Sequence, residues 1–89
     1  MPSRTVTVAS ASGLHARPAA TFASAAAATG LDVVLATASG ETADAGSLLE
    51  VMTLGVDSGD EVTLTVEGPD ADAVLDRLAA LLATDLDAA

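Results

Sequence analysis

Glu61-Val62-Thr63-Leu64-Thr65-Val66-Glu67 leads through Gly68-Pro69-Asp70 into Ala71-Asp72-Ala73-Val74-Leu75-Asp76-Arg77-Leu78-Ala79-Ala80-Leu81-Leu82, and two periods follow one another in that stretch. Val62, Leu64 and Val66 alternate with Thr63, Thr65 and Glu67, the pattern of a half-buried strand. From Ala71 the apolar positions fall at 71, 74, 75, 78, 81 and 82, one stripe of a helix. Between them Gly68-Pro69-Asp70 is turn material, with Asp70 the expected N-cap and acids in the first helical turns, where the helix dipole favours them. A sheet with one apolar face, followed by a helix with one apolar stripe, is satisfied when the helix lies on that face.

Upstream the same logic repeats. Residues 4–9 read as a strand, with Val6 and Val8 alternating with threonines, and residues 9–13 as a loop. An Ala-rich helix is expected from His15 or Ala16 to Thr29, with Leu14, Pro18, Phe22 and Ala26 as its stripe and Gly30 as its stop. Pro18 fits there because the first helical turn has no use for its missing N–H. Leu31 to Ala38 read as a second strand, Ser39-Gly40 as a hairpin turn, and Glu41 to Ala45 as a short third strand. Ser47 to Leu54 reads as a short helix opened by Ser47-Leu48-Leu49-Glu50, a capping box in which hydroxyl and carboxylate each take an orphan N–H. The order is β-α-β-β-α-β-α. It predicts an α+β fold with a four-stranded antiparallel sheet and three helices on one face, a single domain over residues 1–89.

Composition narrows what such a domain can do. Three basic residues, Arg4, Arg17 and Arg77, stand against thirteen acidic ones, for a net charge of −10. That balance argues against nucleic acid and anionic membrane as partners, since both need a cationic surface. The lone aromatic argues against base stacking. No Cys removes disulfides and thiolate ligands, and a single His leaves little for a His-based metal site. No apolar run reaches membrane-span length, and the N-terminus lacks the marks of a signal peptide, so the cytoplasm is the expected compartment. Of the apolar residues 21 are Ala, so the core must be thin and its backbones close together. The acidity fits either a GC-rich genome or a high-salt cytoplasm.

One segment carries chemistry: Gly13-Leu14-His15-Ala16-Arg17-Pro18-Ala19. The first N–H groups of a helix point outward without intrahelical partners, at the positive end of the dipole. Arg17 adds a permanent charge with a planar fork of donors suited to phosphate oxygens. His15 places a nucleophilic nitrogen in that cradle, and phosphohistidine is the product such a constellation would form. The same residues would also serve as a plain helix start with no ligand. No paired carboxylates, P-loop or dinucleotide fingerprint competes with it.

Gly13-Leu14-His15-Ala16-Arg17-Pro18-Ala19-Ala20 closely resembles the active-site motif of the histidine-containing phosphocarrier family, HPr, of the bacterial phosphoenolpyruvate:sugar phosphotransferase system. The resemblance covers nearly the whole chain, including the Ser47-to-Gly55 segment and the Val62-to-Gly68 strand. It implies an open-faced β-sandwich and a carrier that is substrate and donor for enzymes rather than an enzyme, with no cofactor. His15 would take a phosphoryl group on Nδ1 from phosphorylated enzyme I and pass it to a sugar-specific enzyme IIA. Arg17 would neutralise that group, with Ser12 and the amides of Ala16 and Arg17 close by. Ser47 matches a position that a kinase phosphorylates in some members, although the helix cap explains the residue as well. Leu48, Leu49 and Met52 would contribute to the docking surface for both enzymes, with at least one of the three expected in the core. A monomer is expected, since a carrier presents one small face to successive partners.

The sequence departs from the family at the rim of the motif. Ser24, Ala27 and Glu50 stand where the family commonly has basic residues, so steering toward acidic partners would be weak or reversed. Three alternatives remain at this level: a specialised paralogue with other partners, a regulatory module acting through Ser47, and a structural domain without phosphate chemistry.

Overall fold

The computed structural model describes residues 2–11 and 13–85. Its elements are β1 (Ser3–Thr7), α1 (Ala16–Ala28), β2 (Asp32–Thr37), β3 (Thr42–Asp44), α2 (Leu48–Thr53), β4 (Glu61–Glu67) and α3 (Ala71–Leu82). The four strands form one antiparallel sheet in the order β1-β4-β2-β3. β4 therefore lies between the N-terminal strand and β2, and it is the strand with the clean alternation: Val62, Leu64 and Val66 are all buried.

Register carries the alternation across the sheet. Val33 faces Val66, Leu35 faces Leu64, and Val6 faces Val62, so one face collects the aliphatic side chains. Phe22 of α1, Val51 of α2 and Val74, Leu75, Leu78 and Leu82 of α3 join them in the core. Ala19 and Ala26 of α1 are buried in the same cluster, where small side chains let backbones approach closely. The other face of the sheet carries Thr5, Thr63, Thr65 and exposed Val34, with the Thr5 and Thr63 hydroxyls 3.0 Å apart. On the edge strand β1, Arg4 pairs with Asp76 of α3. None of the described helices is long and apolar enough to cross a membrane.

Three local expectations change. β1 ends at Thr7, because its ladder partner β4 begins at Glu61 opposite it; Val8 stays buried but exchanges backbone bonds with the turn that leads into β4, Val8 N–H to Asp60 O (2.9 Å) and Gly59 N–H to Val8 O (2.8 Å). Asp70 is the N-cap of α3 by position, but its side chain makes no capping bond. Its backbone is left-handed (φ +60°) rather than extended, and the capping geometry needs the extended form to turn the side chain onto the first amides. The capping box of α2 is half formed. Ser47 Oγ accepts from Glu50 N–H at 3.3 Å, while the Glu50 carboxylate goes to Asp44 N–H at 3.2 Å instead of to Ser47. Ser47 N–H is already taken by Asp44 O (3.0 Å), which leaves the carboxylate to the β3 end.

Candidate functional site

His15 is the N-cap of α1, with extended backbone (φ −80°, ψ −172°) and no capping bond from its side chain. The first helical bond is Ala19 N–H to His15 O at 2.8 Å. Ala16 and Arg17 precede that bond, so their amides have no partner within the helix. Pro18 stands third in the helix, buried, where an N–H would also have had no helical acceptor. The imidazole is not used as a cap and its side chain is 65% exposed, so it is open to an incoming partner. Arg17 is exposed on the same first turn and forms no ion pair with any described residue. His15, Ala16 and Arg17 are thus brought together as their spacing predicts; Ser12 lies outside the described residues.

The loop before α1 is fixed by contact rather than by its own composition. Gly13 has φ +69°, and a Cβ there would run into Val56 O and stand 2.6 Å from Asp57 Cα. Leu14, buried, donates its N–H to Val56 O at 2.9 Å. This close approach brings a residue that the motif does not contain. Asp57 Oδ1 lies 3.8 Å from His15 Nε2. In the sequence Asp57 stands in a short polar stretch, Asp57-Ser58-Gly59-Asp60, and no local pattern connects it with His15. The one signal was Gly13 itself, whose need for glycine becomes visible only with Val56 and Asp57 against it.

The second candidate surface is α2. Leu48 (40%), Leu49 (75%) and Met52 (41%) are all exposed, which corrects the expectation that one of them is core. Val51 takes that place, fully buried, because α2 lays a single turn against the core and α1 with Val51 inward. Apolar groups of this size left in water on so small a helix form a patch that a partner can cover. Ser24 and Ala27 of α1 and Glu50 of α2 are likewise exposed. Among the described residues no group of His, Asp or Glu side chains could hold a metal ion.

The family model for the PTS HPr component phosphorylation site matches residues 2–84. The chain belongs to the HPr family. A phosphocarrier protein HPr of Streptomyces coelicolor is 46% identical over 87 residues, covering 98% of this chain and 94% of that one. Another, from Haloferax volcanii, is 45% identical over 82 residues, covering 91% and 92%. The crystal structure of an HPr from Bacillus anthracis superposes with a TM-score of 0.86 at 36% identity, covering 91% of this chain and 95% of that one. The open sheet with three helices is thus the HPr fold, and the chain is a phosphocarrier of the phosphotransferase system.

Proposed function

We propose that His15 accepts a phosphoryl group on Nδ1 from phosphorylated enzyme I and passes it to a sugar-specific enzyme IIA, in the cytoplasm. The observation that carries this reading is the exposed His15 side chain at the N-cap of α1, with Arg17 on the same turn and no capping role for the imidazole. The open amides of Ala16 and Arg17 and the helix dipole favour an anion there before any side chain moves. Arg17 offers a fork of donors to the phosphate oxygens. Ser12 completes the phosphate site in this reading. Transfer of this kind needs positioning and charge rather than further covalent work from the carrier, which acts as substrate and donor.

Leu48, Leu49 and Met52 serve as the docking patch. Their exposure supports it, and flexible Leu and Met side chains suit a surface that must fit two partners in turn. With Ser24, Ala27 and Glu50 at the rim, apolar contact outweighs charge steering. Ser47 acts as the cap of α2 rather than as a modification site; a phosphate there would meet the Glu50 carboxylate one turn on.

The test is a transfer assay with phosphoenolpyruvate and enzyme I, read by intact mass. One added phosphoryl group, acid-labile and absent in His15→Ala, is the expected result. Phosphorylation retained in His15→Ala would overturn the assignment.

A further inference from the structure

Among the described residues, His15 has one polar neighbour that its own helix does not supply. The Asp57 carboxylate stands 3.8 Å from Nε2, beyond hydrogen-bond length but within ion-pair range. Both side chains are exposed, yet the backbone beneath Asp57 is held from two directions. On one side Gly13 packs against Asp57 Cα, and Leu14 N–H bonds Val56 O. On the other, Asp57 N–H donates to Asp60 Oδ2 (3.0 Å) and Asp57 O accepts from Asp60 N–H (3.1 Å). The turn uses the Asp57 backbone and the Asp60 side chain. It does not use the Asp57 carboxylate, which has no other polar partner among the described residues.

The carboxylate faces the nitrogen that does not react. In the carrier reading above, on which this inference rests, phosphorus attaches to Nδ1, and Nε2 lies across the ring from it. We infer that Asp57 is a positioning residue for His15: it holds a proton on Nε2, leaves the lone pair on Nδ1, and faces the charge that the ring acquires on phosphorylation.

The cycle balances without any proton moving. The Nδ1 lone pair forms the P–N bond as the donor's bond to phosphorus breaks, and the electron pair of that broken bond stays with the donor. The ring then holds phosphorus on Nδ1, a proton on Nε2 and a positive charge shared between them, opposite the Asp57 carboxylate. In onward transfer a lone pair of the acceptor forms the new bond to phosphorus as the P–N bond breaks, which returns its pair to Nδ1 and leaves the proton on Nε2. The leaving group is neutral imidazole, which departs more readily than the imidazolide that an unprotonated ring would have to expel.

Two readouts test this, neither of which a purely structural turn residue would move. Nitrogen-15 NMR of labelled His15 reports which ring nitrogen bears the proton. The lifetime of the isolated phosphoprotein at neutral pH reports how labile the P–N bond is. Asp57→Ala is expected to lower the share of the Nε2–H form, with Asp57→Glu retaining it. Asp57→Asn keeps the shape but removes the charge, and its phosphoprotein is expected to hydrolyse about two- to five-fold more slowly, the range of an exposed ion pair. Thermal melts of each variant confirm that the fold is kept. A phosphorylated Asp57→Ala that matches the wild type in both readouts overturns the role of Asp57 and leaves the carrier reading intact. A wild type that takes no phosphoryl group from enzyme I overturns both.

Discussion

At Gly13 the chain passes through a left-handed conformation with the Val56–Asp57 backbone against the side where a Cβ would be. A side chain there is penalised twice, by φ and by contact with backbone that cannot swing aside. Gly13→Ala is expected to cost about 1–3 kcal/mol, read as a lower urea midpoint with an unchanged slope. It should also slow phosphorylation of His15, because the same contact sets the start of α1. His15 and Arg17 were legible from the sequence, since the spacing of a helix start puts them on one turn wherever the helix lies. Asp57 was not legible. Its closeness to His15 exists only after two loops from opposite ends of separate elements have met.

Among the elements, α2 shows where periodicity loses its power. Leu48, Leu49, Val51, Met52 and Leu54 are apolar at nearly every position, so no stripe tells which side turns inward. The core selects Val51, and three neighbours are left in water. Leu49→Ser is therefore expected to leave stability within about 0.5 kcal/mol in a denaturant titration, as exposed positions do. In the same protein the KM for transfer from enzyme I should rise, which separates docking from folding. The longer elements were easier to read. β4 runs over the residues that its alternation marks, and α3 buries Ala71, Val74, Leu75, Leu78 and Leu82 of its expected stripe, with Leu81 partly buried. Caps were half legible: Ser47 caps as its type predicts, whereas the backbone conformation that disables Asp70 is set by the turn before it.

At the scale of the whole molecule a thin core rests on one large side chain. Phe22 is completely buried among aliphatic residues and alanines. Phe22→Ala is expected to cost about 3–5 kcal/mol, against the ~5–15 kcal/mol that holds an ordinary domain together. The urea transition should move most of the way to zero denaturant. The layering of helices on one sheet face followed from the order of elements, but strand order did not, because alternation marks which face is inward and not which strands are neighbours. That order, β1-β4-β2-β3, joins strands far apart in the chain. Both β1 and β2 use β4 as their ladder partner, and β4 is the last of the described strands to be synthesised. A nascent or prematurely ended chain that stops before Glu61 carries the whole His15 motif but lacks the strand that frames it. Synthesis thus supplies the His15 motif first and the strand that β1 and β2 share only later, so the sheet behind the site closes after the site's own residues have been made.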